Sequence, residues 1–197
     1  MKLAFAPWLG GVPKRPKVFG IGFHKTGTSS LAAALRILGY RVTGPDGVGN
    51  PDIAETALPM ALKLARKFDA FQDNPWPILF REMDAAFPGS RFVLTVRDLD
   101  QWYASALGHF GERSTPMREW IYGAGSPAGN RERYLSRHEK HMRDVAEYFT
   151  DRPGDLLVLR ITEGEGWEQL CPFLGYPLPQ AAFPHSNAAA KRLAEPL

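Results

Sequence analysis

The apolar positions of this chain follow two periods in turn, one of strands and one of helices. Val18-Phe19-Gly20-Ile21 is a short continuous apolar run, the mark of a buried strand. Leu31, Ala34, Leu35 and Leu38 follow at i, i+3, i+4 and i+7, and Gly39 closes that helix as its C′ residue. A short strand is expected over 40–43, ended by Gly44-Pro45. A helix is expected over 53–68, with Leu58, Leu62 and Ala65 on one side and Pro59 as an irregularity or a true start. Residues 68–72 form a third strand candidate, running into Asp73-Asn74-Pro75-Trp76, and 78–87 a short helix broken by Pro88-Gly89.

The strongest strand signal is Arg91 to Val96. Asp98 then reads as an N-cap with Gln101 completing a capping box, and a helix runs on through Trp102, Ala106 and Leu107. The Gly, Ser and Pro content of 111–130 predicts a flexible excursion. Residues 131–150 read as a long amphipathic helix, with Tyr134, His138, Met142, Val145 and Phe149 on one face. A buried-type strand over 155–161 and a short helix over 167–174 complete the pattern. Strands alternating with helices predict an α/β fold with a parallel sheet. No internal repeat and no linker divides the chain, so residues 1–197 are expected to form a single domain behind an irregular arm over 1–15.

Composition narrows the function. At 44% hydrophobic and 23% charged the chain is globular, and 197 residues suffice for a sizeable core. A net charge of +3 suits an anionic small molecule, and no dense Lys/Arg block points to nucleic acid. The single cysteine, Cys171, excludes an internal disulfide and a cysteine-based zinc site. Pro7 and Gly10-Gly11 interrupt the opening MKLAFAPWLGG before it reaches the length of a signal-peptide core, and no stretch has the ~20 apolar residues of a membrane span. A cytoplasmic protein without membrane contact is expected.

Candidate chemistry concentrates between the first strand and the first helix. Gly22 and Gly27 have the G-x-x-x-x-G spacing of a phosphate-binding loop, but Thr28 stands where a nucleotide-hydrolysing P-loop has lysine. The lysine lies inside the loop, at Lys25, beside His24. Thr26, Thr28, Ser29 and Ser30 place hydroxyls where the helix begins. A glycine loop entering a helix N-terminus is an anion site in outline; the blander alternative is a solvated turn whose hydroxyls cap the helix.

KTGTSSL, two residues after a strand-ending glycine, resembles the 5′-phosphosulfate loop of sulfotransferases. RDLDQWYAS, residues 97–105, resembles their second donor-binding element, in which an arginine at a strand end (Arg97) and a serine eight residues on (Ser105) hold a 3′-phosphate. The chemistry is sound in itself: a guanidinium grips phosphate with two prongs and a hydroxyl adds a donor. Ser105 lies roughly 10 Å along its helix, so only a long arginine meets it at one ligand. The resemblance spans about 17–187. It implies a three-layer P-loop-like fold with a central, mainly parallel sheet of about five strands flanked by helices. It also implies 3′-phosphoadenosine 5′-phosphosulfate (PAPS) as donor, 3′-phosphoadenosine 5′-phosphate (PAP) as product, and no metal. The acceptor would be a hydroxyl or amine of a small molecule or glycan. Lys25 would stabilise charge on the leaving phosphate. Gly22, His24, Lys25, Thr26, Gly27, Thr28, Ser29, Arg97 and Ser105 would bind the donor.

Transfer to a hydroxyl or amine also needs a proton acceptor. Asp73, at a predicted strand end, is one candidate; Asp73-Asn74-Pro75 as an Asx-type turn is the other reading of the same residues. His24 is an alternative base, or it shapes the loop. The acceptor is expected to meet the segments 44–58, 74–80 and 111–130. His138 and His141 have the i, i+3 spacing of some metal pairs without a third ligand, and read better as a half-buried and an exposed histidine. Arg131, Arg133, Arg137, Lys140 and Arg143 are expected on a solvated face. The tail over 171–187, with Phe183, Pro184, His185 and Asn187, resembles the closing segment of one soluble sulfotransferase subgroup, with no chemistry assigned. A P-loop kinase and a catalytically inactive nucleotide-binding protein are the competing readings.

Overall fold

A computed structural model of the chain describes residues 15–186. The irregular arm expected over 1–15 thus lies, Arg15 apart, outside the described residues, as does Asn187. Five strands form a sheet: β1 (Val18–Gly20), β2 (Val42–Thr43), β3 (Ala70–Phe71), β4 (Arg91–Thr95) and β5 (Leu156–Leu159). Their order is β2-β3-β1-β4-β5 and every ladder is parallel, with Phe19 level with Phe71 on one side and Phe92 on the other.

Both faces of such a sheet must be covered, so consecutive strand residues are apolar and diverge. Phe19, Phe71, Phe92 and Leu94 enter one core with α2 (Ile53–Ala65), α3 (Phe80–Ala86), α4 (Leu99–Phe110), α5 (Pro116–Tyr122) and α6 (Arg131–Tyr148). Val18, Ala70, Val93 and Leu159 enter the other, with α1 (Thr28–Ile37) and α7 (Trp167–Leu174). Helix α1 lies opposite α2 and α3 because β1 to β2 is the one strand connection that runs leftward in the sheet order, and right-handed crossovers then put its helix on the other face. The chain direction reverses beside β1, and ligands of open α/β sheets bind at the carboxyl ends of the strands at such a point.

Five expectations are corrected. The segment 111–130 is not irregular throughout: it contains α5, started by Thr115, whose side chain accepts from Arg118 N, and by Pro116 at the first turn. Met117, Ile121 and Tyr122 of that helix enter the core. His138 and His141 are both buried, at 5% and 1% exposure, because α6 turns a wider apolar face inward than its periodicity implied. Arg137 leaves the solvated face: it is half-buried, donates to Ile121 O at 3.1 Å and lies over the Phe23 ring. The last strand, read as buried, is an edge strand with Val158 exposed on it. Of the capping box at α4, one half is present, Asp98 accepting from Gln101 N at 2.9 Å. No described helix is long and apolar enough to cross a membrane.

Candidate active site

The loop from Ile21 to Thr28 is assembled on β4. Gly22 passes so close to Thr95 that a Cβ would sit 2.1 Å from its hydroxyl and 2.3 Å from its carbonyl oxygen. Thr26 Oγ1 donates to Phe23 O at 2.6 Å, so the 2.6 Å contact with Thr95 Oγ1 is a bond that Thr95 donates. Lys25 and Gly27 both take left-handed backbone, φ 67° and 105°. Two such residues flanking Thr26 bend the main chain into a nest of the kind that cradles anions.

Helix α1 then begins without a side-chain cap. Its N-cap is Gly27, which has no side chain to cap with, and its first turn carries no acid. The cluster of Ser and Thr serves other partners. Thr28 Oγ1 donates to Asp73 Oδ2 at 3.1 Å, and Ser30 Oγ accepts from Ser186 N at 3.0 Å. Thr28 and Ser30 are thus engaged away from the helix cap, and the positive end of α1 lies beside the residues of the loop.

This helix end opens on a cleft of about 1010 Å³. His24, Lys25, Gly27, Thr28 and Ser29 line it from the loop, Arg97 and Ser105 from the end of β4 and from α4, and Asp73 from the end of β3. Eight of the residues singled out by sequence thus meet at one place. Gly22 and Thr26 do not line it: their contacts are with Thr95, and they shape the loop from behind. Arg97 donates from Nη1 to Lys25 O at 3.4 Å, tying the second motif to the first, and its buried Nε has no partner among the described residues.

Asp73 takes left-handed backbone at φ 62° and is half-buried. One carboxylate oxygen accepts from Asn74 N at 2.7 Å and the other from Thr28. Desolvation raises its pKa above the ordinary carboxylate value, against the opposing pull of those two bonds and of Lys25. His24 is enclosed, 4% exposed, stacked on Trp102 and edge-on to Phe110 at 4.8 Å. Burial first, then Arg118 and Lys25, push its imidazole down to about 3, so it is neutral at physiological pH.

Sequence reasoning missed several cleft residues. Arg118 is buried on α5, donates to Gly125 O at 2.8 Å and to Arg113 O, and lies 4.4 Å over Phe110. The Thr115-Pro116 helix start was the signal that could have placed it. Pro45, Val48, Asn74 and Met117 line the same cleft from the three segments expected to meet an acceptor. Ile161 to Gly164, in a 3-10 turn after β5, and His185-Ser186 of the tail close other sides. Among the described residues no group of three or more His, Cys, Asp or Glu is placed to hold a metal ion, and His141 Nε2 instead meets Ile21 O at 2.7 Å.

A sulfotransferase domain model matches residues 17–128 and 107–192. The chain belongs to the sulfotransferase family. Among curated proteins it is similar to Ava biosynthesis cluster protein M of Aspergillus versicolor, 26% identical over 213 residues that cover 86% of this chain and 80% of that protein. The family assignment agrees with the five-stranded parallel sheet between two helical layers. In this sulfotransferase the matched regions include both sequence motifs and the whole cleft wall between them.

Proposed function

We propose that this sulfotransferase moves a sulfuryl group from PAPS to a hydroxyl or amine of a small-molecule or glycan acceptor. The observation that carries the proposal is the meeting of the loop over 22–29 with Arg97 and Ser105 on one cleft, although the two motifs are far apart in sequence. The residues fit the donor: an uncapped helix N-terminus and a left-handed loop suit the 5′ phosphate, and the partnerless buried Nε of Arg97 suits a second anion. Bound PAPS supplies the sulfuryl group. Lys25 and the loop N–H groups offset negative charge at the leaving end. Asp73, with its raised pKa, takes the proton of the acceptor hydroxyl or amine. The acceptor enters past Pro45, Val48, Phe110 and Met117, an apolar approach to a charged centre.

The kinase reading is disfavoured by Asp98. That residue stands nearest to where a strand-end carboxylate would hold Mg²⁺, but it is exposed and occupied as the cap of α4. The test is a ligand-titration melt of the free protein. PAP without metal is expected to stabilise it by about 2.7 kcal/mol at ~100 times its dissociation constant. ATP with Mg²⁺ stabilising it as well as PAP, or better, would overturn the proposal.

A further inference from the structure

Asn74 was assigned no part in the chemistry, yet it is 4% exposed, lines the cleft and directs its side chain at His24. Its main chain is tied on both sides, the N–H to Asp73 Oδ1 at 2.7 Å and the carbonyl to Asp46 N at 2.9 Å. Asn74 Nδ2 lies 3.4 Å from His24 Nδ1. Tyr122 OH lies 3.5 Å from the same nitrogen, its ring held in a 4.1 Å stack on Tyr134. With the Asn74 amide oriented so that Nδ2 faces the ring, and Oδ1 buried without a partner among the described residues, Nδ2 donates and His24 Nδ1 accepts. A neutral imidazole has one proton, which then sits on Nε2. That atom is buried and has no hydrogen-bond partner among the described residues.

We infer that Asn74 and Tyr122 hold His24 as the neutral Nε2–H tautomer, so that His24 presents a fixed N–H donor to an oxygen of the bound substrate and does not act as the base. Asn74 and Tyr122 are positioning residues in this arrangement. The inference rests on the sulfotransferase reading of the cleft for the substrate, but the tautomer is a property of the free protein. An unsatisfied buried N–H costs free energy until a ligand oxygen meets it, which is the behaviour expected of a preorganised donor. The titratable and charged groups acting on His24 are Arg118, Lys25, His138 and His109, all cationic or neutral, and together with burial they keep it uncharged.

The experiment is a long-range proton–nitrogen spectrum of histidine-labelled free protein, with the His24 signals identified by their loss in His24→Gln. Wild-type His24 is expected to carry its proton on Nε2 and not to titrate between pH 5 and 8. Asn74→Asp puts an acceptor beside Nδ1, and Nδ1 is expected to gain a proton. Should that variant not fold, Tyr122→Phe and the wild-type spectrum carry the test. A wild-type Nδ1–H, a His24 that titrates near neutrality, or an unchanged tautomer in a folded Asn74→Asp would each overturn the inference. In turnover, losing such a donor is expected to cost roughly 10²-fold in His24→Leu, with part retained in His24→Gln, whose amide also donates. Equal turnover in wild type and both variants would remove the donor role. PAP failing to bind would instead count against the donor assignment and leave the tautomer standing.

Discussion

Lowering the pH from 7 to 5 is expected to strip this protein of much of its stability through three buried histidines. His24, His138 and His141 are 4%, 5% and 1% exposed, and burial pushes them down to about 3, about 4 and about 4. In the unfolded chain each returns to the ordinary value near 6.5. Below that value the unfolded state binds protons that the folded state refuses, so stability falls as pH falls. The loss runs from about pH 6.5 down to about pH 4, at roughly 1.4 kcal/mol per histidine per pH unit. Between pH 7 and 5 each histidine contributes about 2 kcal/mol and the three about 5–6, a large share of the ~5–15 kcal/mol of a typical domain. Asp73, with its raised pKa, works in the opposite sense, one group against three. The assay is urea unfolding at fixed temperature from pH 8 to 5. His138 packs between Phe23 and Trp102, at ring distances of 5.8 and 4.4 Å, so His138→Met keeps most of the packing. It is expected to remove about a third of the pH dependence. A variant with the wild-type slope, or a wild type equally stable at pH 7 and 5, would refute the reasoning.

Arg97→Ala is expected to weaken PAP by about 1.5–3 kcal/mol, the loss of a charge-assisted contact, while adenosine 5′-phosphosulfate, which lacks the 3′-phosphate, is weakened far less; calorimetric titration of both ligands checks this, and equal losses would assign Arg97 to the loop alone. Gly22→Ala drives a methyl group into the backbone of Thr95, so overpacking of at least about 1–3 kcal/mol is expected, read as a lower melting temperature together with weaker PAP binding. Asp73→Asn is expected to lower turnover by ~10²–10⁴ with PAP affinity nearly unchanged; retention of wild-type turnover, measured as PAP release, would remove Asp73 as the base.

What was legible in the sequence depended on whether the deciding partner was near or far along the chain. The unit from Val18 to Gly39 was readable because apolar period, glycine spacing and helix stop all lie within it. The sheet was readable because strands covered on both faces are apolar throughout. Helix α5 was hidden because Gly111, Gly123, Gly125 and Pro127 dominate its surroundings, while its seven residues owe their order to burial of Met117 and Ile121. Thr26 and Thr28 looked alike in the loop, yet one bonds Thr95 and the other Asp73, partners 69 and 45 residues away. No local pattern separates them. His138 and His141 differed from expectation for the same reason, since Phe23, Phe80 and Trp102 from distant segments enclose them.

The turn reading of Asp73 and the proposed base role are compatible in one geometry. As a turn residue it adopts left-handed backbone, which aspartate tolerates better than most, and its carbonyl accepts from Trp76 N at 3.1 Å. One side-chain oxygen completes that turn by accepting from Asn74 N. The other points to Thr28, at the first turn of α1 and in the cleft wall. The turn therefore fixes one half of the carboxylate and so aims the other half. Two hydrogen bonds and Lys25 favour the ionised form, and burial outweighs them, leaving a carboxylate that is a stronger base than an exposed one. His24, one loop away, is pushed in the direction that weakens a base. Two neighbouring groups whose environments drive their pKa values in opposite functional senses suit the division of work proposed above, proton acceptor at Asp73 and hydrogen-bond donor at His24. The same peptide link, Asp73 to Asn74, orients both, because Asn74 accepts no role in the turn beyond its backbone and spends its side chain on His24.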